Sequence, residues 1–489
     1  MALVRVLSKA QYNTDRNMSP LWTYEALVRA AGGRGDGAAP APITGFSIDT
    51  RSLNAGEVFV ALKDQRDGHE FVTSAFKAGA GCALVAQNYV KRPGDGALIH
   101  VPDTLKALES IGRAARARLS PEARVIAVTG SVGKTGTKEM LRACLMRLGD
   151  THAADKSFNN HWGVPLTLAR MPAATRYGVF EIGMNHAGEI TPLTGMVRPH
   201  VAIVTTVEPV HLAFFVSVAE IAEAKAEIFS GLEPGGTAVI NRDNPHFDLL
   251  ARRAAEHGAK VISFGQNVSA DVRAEAIGLD ADGSKIVARI GSEAVRYTLG
   301  APGAHLAQNS LAVVAALSAA GADVERAIVA LEGIRAADGR GARAVLSGPD
   351  GQILLIDESY NANPASMRSA LAAMATVPRG QYPRRIAVLG DMLELGKYAP
   401  RLHAELNEAV DAAGADLVFA SGPNMAHLFA ALAARRQGGW ALTPEGIKAP
   451  LLAAIRAGDA VMVKGSLGSK MAPLVEALKA RFALVRAGS

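Results

Sequence analysis

Cysteine is scarce in this 489-residue sequence, in which Cys82 and Cys144 lie far apart in unlike surroundings. Two such residues exclude the disulfide framework that stabilises many small secreted proteins. The first residues, Met-Ala-Leu-Val-Arg-Val-Leu-Ser-Lys, also lack the long apolar segment that export or membrane spanning requires. We therefore expect a protein of the reducing cytoplasm that does not insert stably into a membrane.

A concentrated basic surface is also missing. The formal net charge is +6, but the lysines and arginines are spread evenly along the chain, without interleaved aromatic residues. Nucleic-acid binding usually needs a dense basic stripe, so we expect no nucleic-acid partner. No repeat of fixed period is present, which argues against a solenoid. The positive charge only weakly favours anionic ligands such as nucleotides or acidic metabolites.

The length and the 49% hydrophobic content suffice for about three domains, each with its own core. In residues 1–102, short strand-like pieces are joined by glycine and aspartate turns. Residues 103–337 and 338–489 alternate apolar runs with helical patterns, which is typical of parallel sheets covered by helices. We predict an α/β protein with a small N-terminal α/β domain, a central parallel-sheet domain and a C-terminal Rossmann-like domain. The strand candidates are 45–49, 58–62, 125–128, 179–182, 201–205, 353–356, 385–389, 416–420 and 461–463.

The strand candidate at 125–128 runs into Thr-Gly-Ser-Val-Gly-Lys-Thr and then a helical pattern. The two glycines let backbone N–H groups converge on an anion, and the helix start adds its positive dipole end. Lys134 would reach the terminal phosphates, and Thr135 would hold Mg²⁺. Because Val128 replaces the first glycine of the usual motif, a tight turn with a solvated lysine is the alternative. The predicted ATP-binding loop, which makes the central segment a P-loop ATPase domain, comprises Gly130, Ser131, Val132, Gly133, Lys134, Thr135 and Gly136.

Polar side chains follow two further strand candidates of the central segment, where ligands of open α/β sheets gather. Glu181 ends the 179–182 run, and His211 follows the 201–205 run. Mg²⁺ prefers hard oxygen ligands and keeps waters and phosphates, so Thr135 and Glu181 make a plausible pair around ATP. The alternatives are a capping or solvated carboxylate for Glu181 and a packed, hydrogen-bonded side chain for His211.

Lys225 falls on the apolar face of a helical pattern. Ser217 and Glu220 predict the start of that helix by forming a capping box. Burying an ammonium is costly and depresses its pKa, so the head of Lys225 either extends to water or serves a function. A neutral amine there would take up CO₂ as a carbamate and supply an anionic oxygen ligand for a second Mg²⁺.

Several motifs along the whole chain resemble the Mur ligase family, the ATP-dependent amino-acid ligases of peptidoglycan synthesis. The phosphate loop, Glu181-Ile-Gly-Met-Asn-His and Ala224-Lys225-Ala-Glu-Ile-Phe carry the resemblance in the central segment. Tyr360-Asn-Ala-Asn-Pro resembles the branch that adds D-alanyl-D-alanine, and the Asp-Asn-Pro-Arg motif of a MurE-type ligase is absent. The other matching motifs are Ser47-Ile-Asp-Thr-Arg51, Asp67-Gly68-His69, Asn159-Asn160-x-x-Gly-Val-Pro, Leu389-Gly-Asp-Met-x-Glu-Leu-Gly396 and Val463-Lys-Gly-Ser466.

The resemblance implies that ATP, UDP-N-acetylmuramoyl-tripeptide and D-alanyl-D-alanine react to give the pentapeptide precursor, ADP and phosphate. The γ-phosphoryl group first activates the tripeptide carboxylate as an acyl phosphate, which the dipeptide amine then attacks. Lys134, Mg²⁺ and Arg340 would offset the negative charge, although Arg343 is an alternative to Arg340. By the same resemblance Glu181 binds Mg²⁺, while carbamylated Lys225 and His211 attend a second ion.

Further ligand contacts are implied at matching positions. In the third segment, Lys464 would reach the substrate carboxylate or phosphate, or else lie solvated at a strand end. Asn309 would read adenine, or instead cap a helix, while Asp357 and Asn361 would meet ribose and phosphate. The implied substrate-binding residues, for which ordinary surface turns are the alternative, are Ser47, Asp49, Thr50, Arg51, Asp67, His69, Asn159 and Asn160.

Two other functions remain open from the sequence. A related ligase, MurE-like or similar to folylpolyglutamate synthetase, would keep the ATP site and use another amine. An unrelated P-loop motor ATPase would need an apolar strand ending in aspartate, which is missing near the 179 and 201 runs. The sequence does not distinguish diaminopimelate from lysine in the tripeptide, and we expect a monomer.

Overall fold

The computed structural model describes residues 20–37, 42–155, 157–210, 212–280, 283–336, 338–348 and 351–484. These residues divide into two units. The first contains the described residues up to Pro121 together with Trp162–Thr175, and the second contains Glu122–His161 and the chain from Arg176 onward. No helix in the described ranges is long and apolar enough to cross a membrane.

Some of the helices begin at residues whose side chains cap the first turn. Ser217 accepts a hydrogen bond from the Glu220 N–H, and Asn363 forms a capping box with Ser366 ahead of Pro364. The predicted start of the Lys225 helix is therefore confirmed. The α-helices are α1 Tyr24–Ala31, α2 Val72–Lys77, α3 Thr104–Ala117, α4 Lys134–Met146, α5 Gly163–Ala169, α6 Ile190–Val197, α7 Val218–Ala226, α8 Phe247–Glu256, α9 Ala304–Ala319, α10 Val324–Ile328, α11 Pro364–Ala375, α12 Ala399–Ala404, α13 Leu406–Ala412, α14 Met425–Ala431, α15 Pro444–Ala454 and α16 Ala472–Arg481.

The first unit is built on a sheet whose described strands have the order β1-β5-β4-β3-β2. All neighbours are parallel except β1 and β5. Buried side chains on β2–β4 form its core with α1 and α3. The strands are β1 Arg34–Asp36, β2 Gly45–Ser47, β3 Glu57–Val60, β4 Cys82–Ala86 and β5 Ala97–Val101.

The boundary of this first unit differs from the prediction at residue 102. Helix α3 buries Leu108 and Ile111 in the same core as β2–β4, and α5 adds Leu166 and Ala169. The Trp22 indole N–H donates to the Ala169 carbonyl over 3.0 Å, which fixes α5 to the start of the chain. Residues 103–121 and 162–175 therefore pack with the N-terminal sheet, because their apolar faces match it.

The second unit contains two sheets, of which the central one has described strands in the order β14-β13-β12-β11-β10-β9-β6-β8-β7. Strands β6–β12 are parallel, and β12–β14 form an antiparallel meander at one edge. The strand predictions at 125–128, 179–182 and 201–205 are confirmed. The strands are β6 Arg124–Thr129, β7 Thr151–Ala153, β8 Tyr177–Glu181, β9 Val201–Val204, β10 Thr237–Asn241, β11 Lys260–Gly265, β12 Val272–Asp280, β13 Gly283–Ile290 and β14 Glu293–Leu299.

The C-terminal sheet has described strands in the order β19-β18-β17-β20-β16-β15-β21. Its first five strands are parallel, as a Rossmann-like domain requires, and β15 and β21 add an antiparallel edge. The four strand predictions in this segment are confirmed. The strands are β15 Ala342–Gly348, β16 Gly351–Glu358, β17 Arg384–Gly390, β18 Leu417–Ser421, β19 Gln437–Ala441, β20 Asp459–Lys464 and β21 Ala483–Leu484.

Candidate active site

The predicted phosphate loop joins β6 to α4. Gly130 and Gly133 have φ angles of +147° and +88°, which side-chain-bearing residues rarely adopt. A Cβ at Gly130 would collide with the Thr205 hydroxyl, and one at Gly133 would collide with the Asn309 amide. Helix α4 then begins at Lys134, so its N-terminal N–H groups face the loop. Both glycines are therefore required by conformation and by space.

Neighbouring residues hold the rest of the loop in place. The Ser131 hydroxyl bridges the backbone of Glu208, accepting from its N–H at 2.9 Å and donating to its carbonyl at 3.1 Å. The Thr205 hydroxyl donates to the Val132 carbonyl over 2.6 Å. Leu306 lies against Gly136. The segment after β9 therefore fixes the loop's shape, a role that no sequence motif indicated for Glu208.

Lys134 is folded back onto the loop instead of extending into solvent. Its Nζ donates to the Gly130 carbonyl over 2.6 Å. Burial lowers the pKa of Lys134, and the positive charge of Arg340 lowers it further, while the Glu181 carboxylate acts in the opposite direction. Lys134 is half-buried, and its amine is held at the loop by this hydrogen bond.

Glu181 and Thr135 meet beside this lysine. The Thr135 hydroxyl donates to Glu181 Oε2 at 2.9 Å, and the Asn159 amide donates to Oε1 at 2.8 Å. Glu181 is 2% exposed, which excludes a solvated carboxylate. In the described part of the chain no three His, Cys, Asp or Glu side chains converge as metal ligands. The hydroxyl and carboxylate oxygens are nevertheless the hard donors that suit Mg²⁺ alongside phosphate oxygens.

Ser157 connects this pair to the third sequence segment. Its Oγ lies 3.1 Å from the Thr135 hydroxyl and accepts from Arg340 Nη2 at 3.2 Å. Arg343 instead lies in β15, paired with Ile356. Ser157 thereby links Arg340 to Thr135 of the phosphate loop, and the charge of Arg340 also reaches Lys134. Ser157 was missed from the sequence, because its partners lie 22 and 183 residues away.

Lys225 is buried, with 2% of its surface exposed. Burial lowers its pKa well below the ordinary lysine value, and the charge of Lys134 lowers it further. The alternative in which its head reaches water is therefore excluded. His211 lies outside the described residues, so its predicted place beside a second ion is untested.

Asn309 lies inside α9, five residues after its first residue Ala304. The alternative that Asn309 caps this helix is therefore wrong, because the N-cap residue is Gly303. Asn309 is buried, with its amide against Gly133 of the phosphate loop. This position is compatible with a nucleotide contact.

Asp357 holds the loop that carries Arg340. Its carboxylate accepts from the Gly339 N–H at 3.0 Å and from the Ser359 N–H and hydroxyl at 3.0 and 2.6 Å. Its carbonyl accepts from the Gly341 N–H at 2.7 Å. The Arg340 guanidinium then stacks over the Tyr360 ring, 4.3 Å from its centroid. Asp357 thus contacts both glycines that flank the arginine.

Lys464 is buried at the end of β20 and is not a solvated strand end. Its Nζ donates to Glu358 Oε2 at 3.2 Å and to the Asn361 carbonyl at 2.9 Å. Burial lowers the pKa of nearby His305. The charge of Glu358 raises this pKa, and the charge of Lys464 lowers it. The structure therefore brings Lys464 and Asn361 together, with Glu358 and His305 as neighbours that the motifs did not indicate.

The predicted residues of the first unit form two local groups. Ser47 ends β2, and its hydroxyl bridges the backbone of Asp49, whose carboxylate pairs with Arg51 at 2.6 Å. The Arg51 side chain is 87% exposed, so its donors are accessible to an anion. Thr50 lies in the same turn.

Asp67 and His69 form the second group. Asp67 Oδ1 accepts from the His69 N–H at 3.0 Å and lies 2.6 Å from the ring Nδ1. These hydrogen bonds lower the pKa of Asp67. His69 Nε2 accepts from the Ala86 N–H at 2.8 Å, so the neutral ring carries its proton on Nδ1. Both ring nitrogens are thus used inside the unit, which makes His69 a support for the loop.

Comparisons with known proteins agree with the geometry. The Mur ligase middle domain matches residues 128–317, and the Mur ligase, glutamate ligase domain matches residues 339–467. The UDP-N-acetylmuramoyl-tripeptide--D-alanyl-D-alanine ligase of Escherichia coli is 36% identical over 88% of this chain and 93% of its own length. The enzyme of that name from Bacillus subtilis is 32% identical over 89% and 93%. A crystal structure of MurF from Acinetobacter baumannii superposes with a TM-score of 0.81 at 29% identity, covering 94% of this chain and 98% of that one.

The matched residues include the phosphate loop, Glu181, Lys225, Arg340 and Lys464, which the geometry also singles out. With more than 30% identity over nine-tenths of a curated relative, the likeness extends well beyond the nucleotide site. The chain belongs to the Mur ligase family, in the group of UDP-N-acetylmuramoyl-tripeptide--D-alanyl-D-alanine ligases.

Proposed function

We infer that this protein is an ATP-dependent ligase that joins D-alanyl-D-alanine to UDP-N-acetylmuramoyl-tripeptide. The products are the UDP-N-acetylmuramoyl-pentapeptide precursor of peptidoglycan, ADP and phosphate. The observation that carries this function is the phosphate loop with Thr135 and Glu181 beside it. The chain also aligns with a UDP-N-acetylmuramoyl-tripeptide--D-alanyl-D-alanine ligase over nearly nine-tenths of its length. Ligases that use another amine are not favoured, because the two curated relatives described above share this one name.

The reaction needs two separate bond changes. A tripeptide carboxylate oxygen attacks the γ-phosphorus of ATP, which forms an acyl phosphate and releases ADP. The dipeptide amine then attacks the acyl carbon, phosphate leaves, and the amine loses a proton. Lys134 and Arg340 offset the repulsion between the carboxylate and the triphosphate, and both are held close to the loop by hydrogen bonds.

Thr135 and Glu181 would hold Mg²⁺, which neutralises phosphate charge and orients the γ-phosphoryl group. Asn159 supports this role, because its amide fixes one Glu181 oxygen and leaves the other beside the threonine hydroxyl. A second ion would be attended by His211 and by Lys225 as a carbamate. The buried, deprotonation-prone amine of Lys225 is the feature that supports carbamate formation.

Nucleotide binding is assigned to the loop Gly130–Gly136, to Asn309 and to Asn361. Asn309 is supported by its contact with Gly133. For Asp357, which the resemblance places at ribose and phosphate, we propose that it positions the Arg340 loop, since its carboxylate accepts from Gly339 and Ser359. Lys464 would orient the substrate carboxylate or phosphate, together with Glu358 and Asn361.

The first unit would bind the UDP end of the acceptor through Ser47, Asp49, Thr50 and Arg51, because Arg51 offers exposed donors suited to a diphosphate. Asp67 and His69 would shape the adjoining wall. In the second unit, Asn160 would contact the sugar or peptide. A monomer in the cytoplasm is our further expectation.

Product analysis tests this function. The purified protein is incubated with ATP, Mg²⁺, D-alanyl-D-alanine and either the diaminopimelate or the lysine tripeptide, and products are identified by mass spectrometry. We expect a pentapeptide nucleotide and one ADP per pentapeptide, with neither formed when the dipeptide is omitted. Absence of ADP with both tripeptides, or efficient use of another amine, would refute the assignment.

A further inference from the structure

A continuous hydrogen-bonded chain runs from Arg340 to Glu181 through two hydroxyl groups. An ionised carboxylate only accepts hydrogen bonds, so the single Thr135 hydroxyl hydrogen points to Glu181 over 2.9 Å. The Ser157 hydroxyl hydrogen must then point to Thr135 Oγ1 at 3.1 Å. Ser157 Oγ in turn accepts from the guanidinium at 3.2 Å. The direction of every hydrogen in the chain is thereby determined.

Both ends of this chain are held by other hydrogen bonds. At one end, Asp357 accepts from the backbone N–H of Gly339 and Gly341, which flank Arg340. At the other end, Asn159 binds the second Glu181 oxygen, and the Asn159 carbonyl accepts from the Gly183 N–H at 2.8 Å. The hydroxyl of Ser157 is therefore the link between two rigid groups.

We propose that Ser157 is a positioning residue that couples the Arg340 loop of the C-terminal sheet to the Thr135–Glu181 pair of the phosphate loop. Because Thr135 accepts from Ser157 and donates to Glu181, it keeps one lone pair directed away from protein partners and available for Mg²⁺. Losing the serine hydroxyl releases Thr135 to rotate and leaves the arginine without this acceptor. This proposal rests on the proposed ligase function and adds a residue to it.

Lys138 holds the segment that carries Ser157. This lysine is fully buried in α4, and its Nζ donates to the Ala154 carbonyl over 2.7 Å, three residues before Ser157. The segment that carries Ser157 is therefore tied to the helix that starts at the phosphate loop. This hydrogen bond helps to fix the distance between the hydroxyl groups of Ser157 and Thr135.

The test compares Ser157→Ala, which removes the hydroxyl, with Ser157→Thr, which keeps it. Ser230→Ala is the matched control, because Ser230 is exposed and donates only to a carbonyl of its own helical turn. We expect kcat of Ser157→Ala to fall about 10-fold or more with KM for the tripeptide within about 3-fold, since a hydrogen bond to a charged group is lost. Ser157→Thr should keep most of the activity, and Ser230→Ala should match wild type.

Coupling is measured by a double-mutant cycle and by hydrogen exchange. In an Arg340→Met background, Ser157→Ala should lower kcat much less than it does in the wild-type background, because the two side chains act together. Backbone amides at 338–341 should exchange faster in Ser157→Ala than in wild type and in Ser230→Ala, even without substrates. The coupling would be overturned if the two substitutions lowered kcat independently, so that their fold-changes multiply. It would also be overturned if Ser157→Ala and Ser157→Thr were equally impaired, or if kcat and hydrogen exchange were unchanged in Ser157→Ala. Wild-type ligase activity separately tests the proposed function.

Discussion

Burial alters the acid–base chemistry of Lys225. Its pKa is depressed by desolvation and then by the charge of Lys134. Between the depressed value and the ordinary lysine value, the unfolded chain binds more protons than the folded one. The unmodified protein therefore gains stability as pH rises through that window. The same shift favours the neutral amine at a given pH relative to a solvated lysine, and the neutral amine is the form that reacts with CO₂.

A labelled carbamate is the direct test of Lys225. With ¹³C-bicarbonate at neutral pH, we expect one protein-bound carbamate carbon signal in the ¹³C NMR spectrum of the wild type. The signal should weaken as the pH is lowered, because protonation of the amine competes with addition of CO₂. Lys225→Ala is the control and should lack the signal. A signal of equal size in that variant, or none in the wild type, would contradict the assignment.

Arg340 and Arg343 differ by three positions: Arg340 donates to Ser157 and its charge lowers the pKa of Lys134, whereas Arg343 lies in β15. We expect Arg340→Met to lower kcat about 10²-fold, the cost of removing one donor to developing charge in a preorganised site. Arg343→Met should stay within a few-fold of wild type. Steady-state kinetics with saturating tripeptide measure both variants, and a larger loss in Arg343→Met would reverse the assignment.

At the scale of elements, the strand–loop–helix of residues 124–146 was predictable because its signal is local. Apolar β-branched residues, two glycines and a helical pattern follow one another without interruption. The surroundings of the loop were not predictable in the same way. Ser157 and Glu208 lie in irregular segments and Glu358 ends β16, and their roles depend on partners that only tertiary packing brings near.

The Asp357 carboxylate holds the Gly339 end of the Gly339–Gly341 loop, and its backbone carbonyl holds the Gly341 end. We expect Asp357→Ala to lower the free energy of unfolding by about 1–3 kcal/mol, because the buried donors of Gly339 and Ser359 lose their acceptor. It should also lower kcat, because Arg340 is released, while leaving the Kd for ADP within about 3-fold of wild type. Urea unfolding and calorimetric titration measure these quantities. A large rise in Kd with unchanged stability would instead favour a direct ribose contact.

For the whole molecule, the α/β class and the three sheets were predictable from the alternation of apolar runs and helical patterns. The division of the chain into units was less predictable. Helix α3 and helix α5 both pack with the N-terminal sheet, although the phosphate loop lies between them in sequence. A linear reading assigns a helix to its nearest sheet in sequence, whereas the buried apolar faces of Leu108, Ile111 and Leu166 decide the actual partner.

Because we propose that ADP binds the second unit and UDP the first, each ligand should act on its own unit. We expect ADP at about 100 times its Kd to stabilise the second unit by about 2.7 kcal/mol. Its slowed hydrogen exchange should concentrate around residues 128–137 and α9. UDP should slow exchange around residues 45–52 of the first unit, where Arg51 offers its donors. Lys134→Met is the control, since it should lose the ADP response and keep the UDP response. Protection of the first unit by ADP, or of the phosphate loop by UDP alone, would contradict this division of ligands between the units.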